Sequence, residues 1–351
     1  MDPATALRRI AFLLEWNDAS PYRVRAFHTA ADAVRALPPG PVDAAQARRL
    51  PGVGPVTGEV IAQASAGAVP RYLARLETAA GPAARAGWDL AAAARGDCHL
   101  HSDWSDGGHP IEEMAEAART LGHDWAVLTD HSPRLTIAHG LDPERLRRQL
   151  DAVAAHNAAA RNVVAHDTAG HHAGDGPFRL LAGIECDILE DGSLDQEPEL
   201  LDRLDVVVAS VHSKLRADPE PMTARMLTAV RDPRTNVLGH CTGRIVTGRG
   251  RPPSRFDAAA VFTACAAAGT AVEINCRPER RDPPDELLRL AVEAGCLFAV
   301  DTDAHAPEQL HWFTSGYARA ARFGLGPDRL VTTWPRERLL AWARPAAARR
   351  P

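Results

Sequence analysis

Two histidines followed by an aspartate are the first residues in this chain whose types and spacing could do chemistry. Residues 96–107 (GDCHLHSDWSDG) have the pattern of a short strand that runs into a polar loop. Because side chains alternate between the two faces of a strand, His99 and His101 point to the same face. Two imidazoles on one face, with the carboxylate of Asp106 in the next loop, favour a transition-metal site. A single His-x-His motif can arise by chance, so this hypothesis depends on the rest of the chain.

Other potential ligands recur at the ends of strand-like runs. After residues 96–107, such runs repeatedly finish with a histidine, an aspartate or a glutamate, and these residues are Asp130, His131, Glu185, His212, His240, Asp303 and His305. A mixture of imidazole nitrogens and carboxylate oxygens suits Zn²⁺, Mn²⁺ or Fe²⁺ and disfavours Ca²⁺. Clustered divalent ions generate a metal-bound hydroxide near neutral pH and clamp phosphoryl oxygens. The pattern therefore predicts a phosphoester hydrolase.

The elements that must position these residues alternate along the chain. Strand-like runs cover residues 125–129, 180–186, 206–211, 237–239, 271–275 and 297–301, and helical patterns cover residues 111–121, 143–159, 222–231, 257–268 and 285–294. Such alternation predicts a parallel sheet, and about seven units with every polar ligand at the end of a strand predict a closed α/β barrel. The chemistry then gathers at the carboxyl ends of the strands.

Residues 1–80 have a different, all-helical pattern. Residues 50–61 (LPGVGPVTGEVI) resemble a helix-hairpin-helix module, in which backbone amides, here at Gly52, Val53 and Gly54, contact a DNA phosphate. A plain helical turn is the alternative, since this region carries only nine arginines against seven acids. Residues 20–27 also resemble the N-terminal domain of family X DNA polymerases. Residues 81–95, rich in alanine, glycine and proline, are predicted to be a linker or a short helical connection.

The ordered series of ligands resembles the polymerase and histidinol phosphatase (PHP) family. The likeness covers residues 96–340 and is greatest to the C-terminal PHP domain of bacterial family X DNA polymerases; no polymerising domain fits between residues 80 and 96. The resemblance implies a distorted (β/α)7 barrel that holds two to three divalent metals. It implies a first set of ligands, His99, His101, Glu185 and Asp303; a second, Glu185, His212 and His240; and a third, Asp106, His131 and His305.

Further residues are predicted to serve catalysis and substrate binding. The predicted catalytic residues are Glu185, His212 and Asp303, with Asp130 either supporting His131 or carrying a proton. Four cations follow ligand-bearing strands and could bind substrate phosphate or be solvated loop residues, namely Lys214, Arg244, Arg277 and Arg280.

Composition limits the alternatives. The net charge of −5 gives no overall attraction to nucleic acid or membranes, and we find no membrane-spanning run or signal segment, so a cytoplasmic location is expected. The six cysteines contain no Cys-x-x-Cys pair and are predicted to be buried thiols. The glycine-rich residues 161–177, with His166, His171 and His172, are predicted to be a loop insertion outside the site.

Three functions remain open at this point. The first is hydrolysis at DNA 3′ ends, as a 3′–5′ exonuclease or a 3′ phosphatase. The second is a small-molecule phosphatase, for example one for histidinol phosphate, which leaves the N-terminal helices unexplained. The third is a non-catalytic DNA-binding factor with an inert barrel. In such a factor, some of the nine metal ligands should be replaced by residues that cannot bind a metal, but all nine are present in this sequence.

Overall fold

The chain forms two compact units, here described from a computed structural model that covers residues 1–37, 40–164 and 178–344. The first unit contains residues 1–92 together with residues 317–324, and the second contains the remainder of the described chain. Histidines 166, 171 and 172 lie outside the described residues. No helix in the described part is both long enough and apolar enough to cross a membrane.

The first unit is helical. Prolines start several of these helices, where a missing N–H costs nothing. The helices are α1 (Pro3–Trp16), α2 (Pro21–Arg35), α3 (Ala44–Ala47), α4 (Pro55–Ser65) and α5 (Arg71–Ala92). A left-handed Gly81, followed by Pro82, kinks α5, so residues 82–92 of the predicted connection are helical. The apolar faces of α1, α2 and α4 bury Leu7, Ile10, Phe27 and Ile61.

A tight turn joins α3 to α4. Gly52 has a φ of +71°, and a Cβ there would lie 2.5 Å from Thr29 Cγ2, so only glycine fits without strain. The Gly54 N–H donates to Thr57 Oγ1 at 2.9 Å, which is one half of a capping box at the start of α4. Residues 52–54 thus form the hairpin that the sequence predicts.

The second unit is built around a parallel sheet of six strands in sequential order. The strands are β1 (Trp125–Leu128), β2 (Arg179–Asp187), β3 (Val206–Ser210), β4 (Val237–Leu238), β5 (Ala271–Asn275) and β6 (Phe298–Asp301). The remaining helices of the described chain are α6 (Ile111–Leu121), α7 (Pro143–Val164), α8 (Pro198–Leu201), α9 (Pro219–Arg231), α10 (Ala258–Ala268), α11 (Asp285–Glu293), α12 (Phe313–Arg322) and α13 (Arg336–Ala343). All of them belong to the second unit except residues 317–322 of α12, which belong to the first. The predicted α/β alternation is confirmed.

The histidine-bearing segment joins the two edges of this sheet. Leu100 makes single parallel bridges to Leu128, the last residue of β1, and to Ala304, beyond β6. The His101 N–H donates to the Ala304 carbonyl at 2.8 Å. Residues 97–101 therefore act as the seventh, irregular strand of the barrel, although their pairing is too sparse to form a regular ladder. The fold prediction, a distorted barrel, is confirmed.

An apolar plug fills the barrel below the polar strand ends. Trp125, Val127, Val208 and Ala299 belong to one buried cluster, which also includes residues of α13. Gly96 must lack a side chain because its Cβ would lie 2.3 Å from the Trp125 ring. All six cysteines are buried and free, so the prediction of buried thiols is confirmed.

Candidate metal centre

Glu185 is the carboxylate around which the strand ends converge. It lies near the end of β2, only 1% exposed, and its side chain points into the barrel. Four imidazoles face its two oxygens at 2.7–3.3 Å, those of His99, His131, His212 and His240. A glutamate can bridge two cations through its two oxygens, and these imidazoles supply the nitrogen ligands that transition metals favour.

His99, His101 and Asp303 gather on one side of Glu185. The Nε2 atoms of His99 and His101 lie 3.3 and 3.6 Å from Glu185 Oε2. Asp303 Oδ1 lies 3.5 Å from His101 Nε2. Within the group His99, His101 and Glu185, one ligand atom from each residue lies within 4.8 Å of the others. The structure thus brings together the residues of the first predicted set.

Two more imidazoles, those of His212 and His240, face the other oxygen of Glu185. Their Nε2 atoms are 3.2 and 2.7 Å from Glu185 Oε1, respectively. His131 Nδ1 is 2.8 Å from Glu185 Oε2, and His131, Glu185 and His212 form a compact group. The sequence reasoning assigned His131 only to the third set, whereas its ring faces Glu185 as well. This arises because His131 pairs with Glu185 across the neighbouring strand, so their side chains lie side by side.

A third group lies nearer the solvent. Asp106 Oδ1 lies 3.4 Å from His131 Nε2 and 3.3 Å from His305 Nε2. His101 completes this group, with its Nδ1 3.9 Å from the same oxygen. Asp106 is the exposed member, so this group is more open to solvent than the ones around Glu185. His101 and His131 each connect it to the Glu185 groups through their second nitrogen.

Buried polar atoms that lack a hydrogen bond provide a test of whether these residues fit a metal. Among the described residues, the unpartnered atoms include Nε2 of His99, His101 and His212 and Oε2 of Glu185. Buried polar groups are normally hydrogen-bonded, so such a concentration at one place requires another partner. Nitrogen and oxygen lone pairs that converge without bonding to each other suit a cation. The donor set therefore fits a divalent transition metal.

Two carboxylates that sequence reasoning missed orient the imidazoles. Glu273 Oε1 lies 2.6 Å from His99 Nδ1, and Asp187 Oδ1 lies 2.7 Å from His212 Nδ1. Since a carboxylate only accepts hydrogen bonds, each Nδ1 carries the hydrogen, which leaves Nε2 free to bind a metal. A signal was present for Glu273, because it is the only charged residue in the strand sequence AVEIN. Its side chain lies on the same face of β5 as Asn275.

The electrostatics of the cluster favour positive charge at its centre. Burial alone would raise the pKa of Glu185, but His131, His212 and His99 hold that pKa well below its ordinary value. Burial lowers the pKa of His99, yet Glu185 and Glu273 outweigh it and raise the pKa well above normal. His101 differs, because burial and the neighbouring His305 hold its pKa well below normal. The carboxylates thus attract a proton or a metal cation to the site.

Asp130 is fully buried behind the ligand loop. Its carboxylate accepts hydrogen bonds from the Ser102 N–H, the Ser102 and Ser105 hydroxyls, and Gln149 Nε2, at 2.5–2.9 Å. Burial raises its pKa above the ordinary value, although these hydrogen bonds oppose the shift. With four donors already on two oxygens, this geometry supports the positioning role for Asp130 over that of a proton carrier.

The four predicted substrate cations lie in different settings. Arg280 Nε lies 3.2 Å from Asp303 Oδ2, and Arg277 lies 3.4 Å from Asp303 Oδ1 and 3.0 Å from His305 Nδ1. Both therefore border the ligands. Arg244 instead donates to the carbonyls of Arg280 and Arg281, so it holds the loop that carries the other two. Lys214 is exposed, two residues after His212.

Comparison with known proteins adds the family to this geometry. The model of the PHP domain matches residues 97–276, and the model of a helix-hairpin-helix domain matches residues 1–67. This chain belongs to the PHP family. It is accordingly a PHP-type phosphoesterase, a hydrolase of phosphoric ester bonds, whose barrel carries a helix-hairpin-helix domain on its N-terminal side.

Several relatives share the PHP barrel. The DNA polymerase/3′-5′ exonuclease PolX of Bacillus subtilis is 36% identical over 228 residues, which cover 65% of this chain and 37% of that protein. This chain therefore matches little more than a third of PolX. A protein of Syntrophotalea carbinolica, described as a probable phosphatase, is 26% identical over 67% of this chain and 90% of its own length. The solved histidinol phosphate phosphatase of Lactococcus lactis, in complex with zinc, L-histidinol and phosphate, matches with a TM-score of 0.45 and 17% identity, covering 66% of this chain and 94% of that one.

Proposed function

We propose that this protein hydrolyses phosphoester bonds at DNA 3′ ends, as a 3′–5′ exonuclease or a 3′ phosphatase, with a trinuclear metal centre. The observation that carries the proposal is the buried cluster around Glu185, in which Nε2 of His99, His101 and His212 and Oε2 of Glu185 lack hydrogen-bond partners among the described residues. Both the relation to PolX and the helix-hairpin-helix domain support DNA as the substrate.

The proposed ligands follow the three groups of side chains. His99, His101, Glu185 and Asp303 hold the first ion; Glu185, His212 and His240, with His131 close by, hold the second; and Asp106, His131 and His305 hold the third. Bound ions activate water as the nucleophile and neutralise charge on the phosphoryl group and the leaving oxygen. Glu273 and Asp187 fix the rings of His99 and His212 throughout, since each accepts the Nδ1 hydrogen.

Chain cations complete the binding of the reacting phosphate in this proposal. Arg280 and Arg277 border Asp303 and are only partly exposed, so their guanidinium groups are held at the edge of the ligand cluster. A guanidinium in that place can donate two parallel hydrogen bonds to phosphate oxygens. Lys214 follows His212 on an exposed loop and adds a point charge nearby.

The N-terminal domain is proposed to hold the DNA. In this proposal, the backbone amides of residues 52–54 contact a phosphate without reading bases, as the helix-hairpin-helix resemblance implies. Gly52 is exposed, and Val53 and Gly54 are partly exposed. The Val53 and Gly54 amides already donate to the Leu50 carbonyl and to Thr57 Oγ1, so a phosphate would share these two hydrogen bonds. We propose residues 1–80 as this domain, residues 81–95 as the connection and residues 96–340 as the PHP domain.

A second candidate is a phosphatase for small phosphomonoesters. The observation that favours it is the match to a probable phosphatase over 90% of that relative's length, since the matched region corresponds in size to a barrel alone. Under this candidate, the metal ligands keep their roles and the helix-hairpin-helix domain has no part in substrate capture.

A direct substrate comparison tests the proposal. Manganese-loaded protein is offered single-stranded DNA with a 3′ hydroxyl, the same DNA with a 3′ phosphate, and histidinol phosphate. We expect release of nucleotides or of phosphate from DNA, its loss in Glu185→Ala, and its retention in Glu190→Ala, because Glu190 is an exposed glutamate on the loop after β2. Turnover of histidinol phosphate alone would establish the second candidate. No hydrolysis of any substrate would indicate a DNA-binding factor with an inert barrel.

A further inference from the structure

The loops around the barrel mouth differ sharply in charge. Residues 188–197, after β2, contain four acids and no lysine or arginine. Residues 243–256, after β4, contain four arginines and no acid. Both loops follow the carboxyl ends of their strands and therefore lie at the same end of the barrel as the metal centre. One side of the mouth is thus acidic and the other is basic, a difference that the net charge of the chain conceals.

The basic loop continues into its neighbours on both sides. Ser254 Oγ donates to the Leu215 carbonyl at 2.8 Å, which ties the loop after β4 to the loop after β3. The Val246 N–H donates to the Glu279 carbonyl at 2.7 Å, which ties it to the loop after β5. These three loops therefore form one continuous surface beside the ligand cluster.

The arginines on this surface have two distinct roles. Arg244 and Arg251 donate to backbone carbonyls, with Arg251 Nε 2.6 Å from the Gly243 carbonyl, and so stabilise the loop. Arg216, Arg249 and Arg255 are exposed, and within the described parts of the chain they form no hydrogen bond or ion pair through their side chains. Three unpaired guanidinium groups on connected loops, called here the basic rim, are available to an external anion.

The acids closest to the basic rim have other partners or lie at the start of a helix. Asp257, two residues after Arg255, caps α10 and accepts from the Ala260 N–H. Asp218 and Glu220 follow Arg216, but they lie at the start of α9, where the positive end of the helix dipole stabilises them. Glu279 is bound to Arg277, and Asp282 is buried and accepts from Thr242. The carboxylates near the rim are therefore occupied by other partners or lie on the helix.

We propose that the basic rim, Arg216, Arg249 and Arg255, binds the phosphodiester backbone of the DNA strand whose 3′ end lies at the metal centre. This inference rests on the proposed function and names the surface that would make the site a nucleic-acid site. A small phosphomonoester has one phosphate, which the metal ligands with Arg277 and Arg280 suffice to hold. Unpaired arginines further out on the loops suit a polyanion that continues beyond the reacting phosphate.

The test is the salt dependence of DNA binding by the full chain. The rim variant carries Arg216→Ala, Arg249→Ala and Arg255→Ala. Its matched control carries Arg179→Ala, Arg203→Ala and Arg231→Ala, three exposed arginines. Arg179 begins β2, Arg203 lies three residues before β3, and Arg231 ends α9 ahead of β4. Both variants lose the same charge. Binding of a fluorescein-labelled single-stranded oligonucleotide is followed by anisotropy over a series of KCl concentrations, with metal content and melting temperature measured alongside.

The rim variant should lose affinity by roughly 10- to 100-fold at low salt, and its slope of log K against log salt should fall by roughly 2, since each neutralised single-strand phosphate contributes about 0.7. The control variant should keep the slope of the original protein. Equal slopes in the rim and control variants would overturn the inference, whatever the melting temperatures.

The failure of the inference differs from the failure of the proposed function. If the original protein processes DNA 3′ ends and the rim variant binds DNA with an unchanged slope, the inference is wrong and the proposed function stands. If the original protein turns over only histidinol phosphate, the proposed function is wrong. A rim-dependent slope would in that case still support the basic rim as a polyanion surface.

Discussion

The barrel mouth and the N-terminal hairpin satisfy their polar groups in opposite ways. In the hairpin, the Gly54 N–H donates to Thr57 Oγ1 and the Val53 N–H donates to the Leu50 carbonyl. In the barrel, buried atoms of Glu185 and its neighbouring histidines have no hydrogen-bond partner among the described residues. The hairpin is internally complete and the barrel centre is not.

This difference indicates which of the two regions needs a bound ligand to be stable. An unpaired buried polar atom costs on the order of 1–3 kcal/mol. Several such atoms on one cluster are tolerated only if an added partner offsets that cost. The barrel should therefore depend strongly on a metal, whereas the hairpin should fold without DNA and contribute only to affinity.

The largest effect is expected for Glu185→Gln. This substitution keeps the shape but removes the charge that four imidazoles face. Loss of several kcal/mol of charge stabilisation corresponds to a decrease in kcat/KM of about 10³-fold or more. Hydrolysis rates and metal content by mass spectrometry measure it, with Glu190→Gln as the control. A variant that retains full metal content and activity would contradict the central role of Glu185.

The second-largest effect is expected on stability when the metal is removed. A cation that binds only the folded state stabilises it by about 2.7 kcal/mol at 100 times its dissociation constant. For a unit of this size, that corresponds to a rise in Tm of roughly 5–10 °C. Calorimetry of chelated protein before and after addition of Mn²⁺ or Zn²⁺ measures the shift. The Glu185→Gln variant should show little of it, and an equal shift in that variant would place the metal elsewhere.

The sequence predicted the barrel well because its strands and ligands are periodic. Each ligand lies at or just after a strand end, which local alternation reveals without any knowledge of contacts. The strand at residues 97–101 was predicted, but its closing role was not, because Leu100 pairs with both edges by single bridges that only the closed sheet defines. The ligand assignment stays a prediction, and the double role of His131 depends on its pairing with Glu185, which no local pattern encodes.

The residues that support the metal ligands were harder to predict from the sequence. Glu273 lies in the middle of β5 rather than at a strand end, so a search for terminal ligands passed over it. Arg244 was grouped with the substrate cations because it follows His240, yet its guanidinium donates to the backbone carbonyls of Arg280 and Arg281 in the next loop. Roles set by contacts between distant segments cannot be read from spacing alone.

Glu273→Gln tests how far orientation of the ligands matters. Glu273 accepts from His99 Nδ1, from the His240 N–H and from Asn275 Nδ2, and an amide offers only one oxygen for these donors. Metal affinity should fall by about 10- to 100-fold, as is usual for residues that orient metal-binding histidines. Titration of the chelated protein with Zn²⁺ in a competing-indicator assay measures this affinity.

Asp187→Asn provides the comparison for Glu273→Gln. Asp187 accepts from one ligand ring, that of His212, and an amide oxygen can still accept that hydrogen bond. The loss of metal affinity should therefore be smaller than in Glu273→Gln. Equal losses in the two variants would mean that negative charge near the site, rather than the number of acceptors, controls the metal.

The smallest effect is expected in the hairpin, with Gly52→Ala compared with Gly67→Ala. Both glycines have positive φ, which costs a residue with a side chain about 1–2 kcal/mol. At Gly52 the new Cβ would also lie 2.5 Å from Thr29, whereas at Gly67 nothing lies within 4 Å. Gly52→Ala should therefore be the more destabilising of the two and should weaken DNA binding. Thermal melts measure the stability, and anisotropy measures the binding.

If Gly67→Ala weakens DNA binding as much as Gly52→Ala, general loosening of the helices is responsible and residues 52–54 do not form the contact. The metal content should be unchanged in both variants, because the ligands all lie in the barrel.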